Sequence, residues 1–320
     1  MPETMRAVQI LGDKSSPQLS FSRAFPVPSD TDDEVLIRVS AAGVTADEVS
    51  WPEVYESNRV PGHDVAGTIV ALGPAYSGAL KPGDTVFAMI KAATRSGGQA
   101  DYVAVGGAEL AAKPARLTFA EAAALPIPLL TAWEALRDHA RLQKGQTVLV
   151  TGASGAVGRM LVQVASRVLG AEVIALASAA SHSHLKTLGA GRCVDYRAAG
   201  WEASLGALDA VVDTVGGEVY TKSRRSLRRG GVMVTVADPP PKWAFGGGKP
   251  EEELADDPEG RFVYFVVTAS GEALGKAAAL LESGVLEPLP VVEFEAERAL
   301  EAWKYAGGRG KEGKAVIKFD

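Results

Sequence analysis

The sequence predicts an α/β protein in which a doubly wound parallel sheet is joined to a second, β-rich domain. Three observations predict it. Between Gln146 and Val267, short apolar runs alternate with helical stretches. Residues 1–120 instead carry short strands punctuated at close intervals by Gly and Pro. Finally, VTGASGAVG (150–158) sets three glycines at a spacing of three where a strand hands over to a helix.

In chain order, DEVLIRVSAAGV (33–44) holds a strand that alternates after Asp33 and Glu34. DVAGTIVALG (64–73) holds another, stopped by Gly73–Pro74. KPGDTVFAMI (81–90) and GGQADYVAV (97–105) each read as a turn followed by a strand. TFAEAAALPIPLLTAWEALRDHARL (118–142) is mostly helical and broken at Pro126 and Pro128. Thr118 followed by Glu121 makes a capping box for its first helix. TVLV (147–150), EVIALA (172–177), AVVDTV (210–215), GVMVTVA (231–237) and FVYFVV (262–267) are the apolar strands of the alternating region. Such a βαβ series implies right-handed crossovers. DPPPKWAFGGGKPEEELADDPEGR (238–261) reads as a long exposed loop. GEALGKAAALLESG (271–284) reads as a helix and KAVIKF (314–319) as a strand, and no internal repeat is present.

Composition narrows the function classes. The net charge of -6 argues against a nucleic-acid partner, which usually needs a basic face. The densest basic cluster, Lys222, Arg224, Arg225, Arg228 and Arg229, is read as a solvated helix face. With Cys193 as the one cysteine, no disulfide framework or Cys-rich metal site can form, which fits a reducing compartment. No basic segment followed by an apolar run opens the chain, and no apolar stretch reaches the ~18 residues of a membrane span. A cytoplasmic protein without a membrane partner is expected.

After the glycines, Val157, Met160, Leu161, Val164, Val168 and Leu169 share one helical face, and Gly170 supplies a stop. The stretch therefore joins a buried strand to a helix N-terminus, where unpaired N–H groups and the helix dipole favour an anion. Gly152 would permit the tight turn. Gly155 would let the backbone approach a pyrophosphate, and Gly158 would let the helix pack on the strand. Ala153, Ser154, Ala156 and Val157 complete the loop. A tight turn alone is the competing account, but the strand before and helix after favour a dinucleotide. An NAD site usually carries an acid about 20 residues on. The corresponding ALASAASHSHLK (175–186) has none. Ser178, Ser181 and His182 can donate hydrogen bonds to a 2′-phosphate, with Lys186 close by, or they can cap the next helix, or both. NADP(H) is the expected cofactor.

PGHDVAGTIVALG (61–73), KPGDTVFA (81–88), GGQADYVAV (97–105), LPIPLLTAWEAL (125–136), VLVTGASGAVG (148–158) and LDAVVDTVGG (208–217) occur in the order found in medium-chain dehydrogenases/reductases. The chain resembles their quinone oxidoreductase and zeta-crystallin branch over almost its whole length. The resemblance implies a GroES-like catalytic domain from residues 1–125 and 269–320. It implies a Rossmann NADP(H)-binding domain over 126–268 and an active site in the cleft. It further implies that Thr131 orients the nicotinamide, that Tyr196 lies near the 2′-phosphate, that Val236 belongs to the cofactor site, and that two copies pair through 262–267.

Zinc-dependent members need thiolate, imidazole and carboxylate or thiolate ligands. Here Thr45 stands at the first-ligand position, His63 remains in PGHD, and the four-Cys structural lobe is missing, so no metal is expected. His63 either packs structurally near a turn or serves as a ligand or base. In GVTADEVSWPEVY (43–55), Thr45 stands for the usual Asn and Glu48 lies near the usual Asp; Ser181 stands for a phosphate-contacting Lys.

Without a metal Lewis acid a simple ketone is hard to polarise, and a conjugated acceptor is easier. The expected activity is therefore an NADPH-dependent, zinc-independent reductase transferring hydride to an enone, an enoyl thioester or a quinone. Tyr55 and Thr45 are the candidate donors to the developing oxyanion; Tyr55 could equally form an apolar pocket wall with Trp51. Two alternatives stand beside this reading. One is a pathway-specific enoyl reductase of secondary metabolism. The other is a nucleotide-binding protein without turnover, acting through a protein or RNA partner.

Overall fold

The computed structural model describes residues 2–13, 15–28, 32–51, 58–91, 97–244, 257 and 259–319. They form two compact units. One comprises Met1–Leu130, Ala269–Gly284 and Pro288–Asp320; the other comprises Thr131–Thr268 and Val285–Glu287.

The first unit opens with an antiparallel pair, β1 (Thr4–Leu11) and β2 (Gln18–Pro26). Then come β3 (Glu34–Gly43), β4 (Asp64–Leu72), β5 (Thr85–Met89), β6 (Tyr102–Gly106) and β7 (Leu110–Ala112). β3 is buried along most of its length because β4 and β6 both pair with it. Its Val35, Ile37 and Val39 pack with Ile69, Val86 and Val103, each such side chain contributing about 1.5–3 kcal/mol. Helix α1 (Phe119–Ala123) begins with the expected capping box, Thr118 Oγ1 accepting from the Glu121 N–H at 3.1 Å and Glu121 accepting from the Thr118 N–H at 2.8 Å. Helix α2 (Pro126–Glu134) follows.

The second unit is a six-stranded parallel sheet. Its strands are β8 (Thr147–Val150), β9 (Glu172–Leu176), β10 (Arg192–Val194), β11 (Leu208–Asp213), β12 (Leu227–Thr235) and β13 (Arg261–Tyr264). The spatial order is β10-β9-β8-β11-β12-β13. Strand order reverses between β8 and β11, and in such sheets ligands bind outside the carboxyl ends at that point. Helix α3 (Ala156–Gln163) follows β8 and widens into a π-helical turn over Val164–Val168, with Gly170 at φ +68° beyond it. Its buried face centres on 160–165, leaving Val157, Val168 and Leu169 half-buried. Helices α4 (His182–Thr187) and α5 (Gly217–Arg224) follow β9 and β11.

Two expectations are corrected here. The basic cluster is not one helix face: Lys222 and Arg224 lie on α5, whereas Arg228 and Arg229 lie on β12. The chain enters the sheet at Leu227, opposite Leu208, and the two arginines pair with Asp209 (2.8 Å) and Glu259 (3.3 Å). The last strand stops at Tyr264 instead of Val267, and Val266 is 52% exposed.

The first unit resumes with α6 (Gly271–Glu282), β14 (Val291–Glu295), α7 (Ala299–Ala306) and β15 (Lys314–Lys318). β15 pairs with β3 and β14, completing the sheet order β14-β15-β3-β4-β5-β7.

Candidate functional site

In the second unit, the chain leaves β8 through Thr151–Gly155, and Gly155 is the N-cap of α3. Gly152 has φ +57°, where side chains are disfavoured, and a Cβ there would collide with Thr214 Oγ1. A Cβ on Gly158 would lie 2.6 Å from Ala153 Cα, so the helix meets the loop at contact distance. Gly155 differs: its φ of −73° is ordinary, and a Cβ would meet only Gly152 O, at 3.3 Å. The loop is pinned from both sides, by the Arg159 Nε–H donating to Ser154 O (2.9 Å) and the Ala153 N–H donating to Leu176 O (3.2 Å).

Beside the loop lies a cavity of about 330 Å³. Gly152, Ser154 and Tyr196 line it, together with Leu176, Ala177, Val215 and Val219, which the sequence reading did not assign to a site. Its apolar walls and glycine-bounded floor fit the adenosine half of a dinucleotide. Ser178 follows directly on Ala177, and Ser181 and His182 lie within the next turn of chain. Ser178 and Ser181 occupy N-cap positions, but neither hydroxyl makes a capping bond, so capping does not account for them. The His182 Nε2–H donates to Ala177 O (3.1 Å). Thr131, buried in α2, and Val236, just past β12, do not line the cavity.

Asp213, missed in the sequence reading, ties this end of the sheet together. It is fully buried at the end of β11. Its carboxylate accepts from Thr151 Oγ1 (2.7 Å), Thr235 Oγ1 (2.9 Å) and the N–H groups of Val215 (3.2 Å) and Gly216 (3.0 Å). Three strand ends, β8, β11 and β12, are thereby held by one carboxylate whose burial is offset by these donors.

In the first unit, Thr45 follows β3 and is half-buried, its carbonyl accepting from the Glu48 N–H at 3.2 Å. Tyr55 lies outside the described residues. Glu48 is wholly buried; its Oε1 accepts from the Gly62 N–H (2.8 Å) and lies 3.3 Å from both Arg59 Nη1 and His63 Nε2. His63 Nδ1 donates to Ile90 O (2.9 Å), and the Trp51 ring stacks on the imidazole at 5.6 Å. Burial pushes the Glu48 carboxyl up, but His63, the Gly62 N–H and Arg59 outweigh it and hold it below its ordinary range. Burial likewise pulls His63 down, but the Glu48 charge and the contacts with Glu48 and Ile90 outweigh it and raise it. Nδ1 is thus held by a hydrogen bond and Nε2 lies within ion-pair distance of Glu48 without a formed hydrogen bond, surroundings that favour the structural reading of His63 over that of a ligand or base.

Residues 31–127 match the family model described as alcohol dehydrogenase GroES-like domain, and 188–317 match the one described as zinc-binding dehydrogenase. A 2-methylene-furan-3-one reductase from Solanum lycopersicum is 33% identical over 99% of this chain and 80% of its own length. An NADPH-dependent alkenal/one oxidoreductase from Arabidopsis thaliana is 32% identical over 91% of this chain and 73% of its own. The structure of a quinone oxidoreductase from Coxiella burnetii superimposes with a TM-score of 0.82 at 26% identity, covering 99% of both chains. The described residues do not supply the donor set that the zinc named in the second description needs. His63 Nε2 faces a carboxylate shared with a guanidinium, and among the described residues no three His, Cys, Asp or Glu side chains are grouped to hold a metal. The GroES-like unit, the parallel-sheet unit with its glycine loop, and these matches along the chain agree: the protein is an oxidoreductase of the medium-chain dehydrogenase/reductase superfamily.

Proposed function

We propose that the protein is an NADPH-dependent, zinc-independent reductase of activated C=C bonds, in enones or enoyl compounds, or of quinones. The observation that carries the proposal is the cavity bounded by Gly152, Ser154 and Tyr196, which opens beside a helix N-terminus at the switch point of the sheet. The names of two relatives, which describe reduction of conjugated carbonyl compounds and in one case NADPH, support the substrate class.

Bound NADPH supplies the hydride; the chain binds, orients and stabilises charge. The N–H groups of Ala156 and Val157 at the start of the helix face the pyrophosphate in this reading, while those of Ala153 and Gly155 hold the loop's shape through Leu176 O and Gly152 O. Ser178, Ser181, His182 and Tyr196 serve the 2′-phosphate, and Thr131 and Val236 orient the nicotinamide. Thr45 and Tyr55 donate to the carbonyl oxygen on which charge develops. Pairing of two copies through 262–267 is proposed on the ground that, among the described residues, β13 has one strand neighbour in the sheet. A cytoplasmic setting is proposed from the single cysteine. No described helix is long and apolar enough to cross a membrane.

Fluorescence titration with NADPH and NADH, followed by a panel of enones, enoyl thioesters and quinones, tests the proposal. NADPH should bind more tightly, and at least one conjugated acceptor should be reduced. Tyr55→Phe should lower turnover by about 100-fold if the phenol donates the proton; unchanged turnover would remove it from that role. Binding without reduction of any acceptor would favour a nucleotide-binding protein without turnover. Failure to bind either nucleotide would overturn the proposal.

A further inference from the structure

We infer that Asp195 is a specificity-determining residue that favours a free 2′-hydroxyl over a 2′-phosphate and so limits discrimination for NADPH over NADH; the inference rests on the nucleotide site proposed above. The second strand of the sheet ends without an acid, but the fold supplies one from its neighbour. β9 and β10 are parallel and in register, Leu176 opposite Val194, and the Ala177 N–H donates to Val194 O at 3.0 Å. The two chain segments therefore leave the sheet side by side, Ala177–Ser181 from one strand and Asp195–Arg197 from the other.

Ala177 and Tyr196 both line the cavity, and Asp195 directly precedes Tyr196. Asp195 Oδ2 accepts from the Ala179 N–H at 3.3 Å, and Oδ1 accepts from the Arg197 N–H at 2.9 Å. A carboxylate thus occupies one backbone donor, the Ala179 N–H, in the segment that carries Ser178 and Ser181, and a second, the Arg197 N–H, in its own. The Arg197 N–H bond, with the Ala179 N–H and the charges of Arg197 and His182, holds this exposed carboxyl below its ordinary range, so it is ionised at neutral pH. Arg197, 5.5 Å from the Tyr196 ring centroid, is the nearby opposing charge.

An ionised carboxylate can accept a hydrogen bond from a ribose hydroxyl, as the acid at the end of the second strand does in NAD sites. It repels a phosphate, and the N–H groups it holds are withdrawn from that phosphate. The two adjoining segments therefore carry hydroxyl donors suited to NADPH and one charge opposed to it.

Dissociation constants for NADPH and NADH, measured by titration calorimetry at neutral pH on the full chain, decide the matter. In Asp195→Asn the ratio Kd(NADH)/Kd(NADPH) should rise about tenfold over wild type. The shift should shrink in about 0.5 M salt, since the site is exposed. Asp195→Glu, which keeps the charge, should stay within about twofold of wild type. Should Asp195→Asn fail to fold, Asp195→Ser gives the same readout. A ratio in the neutral variant within about twofold of wild type, or an equal shift in Asp195→Glu, would overturn the inference. A wild type that prefers NADH would sink the NADPH reading alone, because the shift in the variant still decides the role of Asp195. Binding of neither nucleotide would sink both.

Discussion

Burial opposes a charged His63, yet the Glu48 carboxylate and the contacts with Glu48 and Ile90 favour the charged form. The His63 value in the folded chain is raised above 6.5, so its contribution to stability is complete below 6.5 and is lost as pH rises through the folded value. The Glu48 value is lowered below 4.5, so its contribution is complete above 4.5 and is lost as pH falls through the folded value. The pair therefore stabilises most between pH 4.5 and 6.5, with Arg59 and Asp64 the other charges facing it. Thermal melts of wild type and His63→Gln across pH should differ by about 3 kcal/mol in that window and by less on either side; a gap independent of pH would contradict this. The sequence put Glu48 near a family acid and left His63 open between two roles. The decisive fact, a shared carboxylate oxygen, depends on Arg59, Gly62 and Ile90 converging in space, and spacing along the chain does not encode that. Asp213 escaped notice for the same reason: Thr151 is a strand away in space and far off in sequence.

Elements were more legible where the code is local or the burial is two-sided. Parallel strands covered on both faces read as continuous apolar runs, which is why TVLV maps onto β8 without a residue's error. The Thr118–Glu121 box likewise lies within one turn. β2, QLSFSRAFP, gave no comparable signal because it is half-exposed along its length. Arg228 and Arg229 were drawn into a helix by spacing alone, whereas they lie in β12, in the irregularity between its Leu227–Leu208 and Val232–Ala210 pairs with β11. The junction of β8 with α3 yields the sharpest test at this scale. Gly158→Ala forces a methyl against Ala153 and Gly152, backbone atoms that cannot yield cheaply. Overpacking of this kind costs about 1–3 kcal/mol, so the variant should melt at lower temperature and bind NADPH at least about tenfold more weakly. Wild-type affinity in a titration would show that the loop relaxes.

At the scale of the whole molecule, the order of the motifs pointed to a GroES-like part and a parallel-sheet part. Nucleotide sites are assigned to the second unit alone, so binding should appear as stabilisation of that unit. At about 100 times Kd, NADPH should add about 2.7 kcal/mol, raising its Tm by about 5–10 °C. Differential scanning calorimetry with and without nucleotide reads this directly, and an unmoved transition would argue against the site. One of the three glycines gives a further lever. Gly155 has ordinary backbone angles, and a Cβ there would press on one atom alone, Gly152 O, so an alanine should cost the fold little while intruding on the pyrophosphate position of the proposed site. On the proposed site, an allele carrying it should encode a folded chain that binds the nucleotide poorly, which a titration of the variant checks. In a living cell, such an allele separates whatever the protein accomplishes by reducing something from whatever it accomplishes by being present.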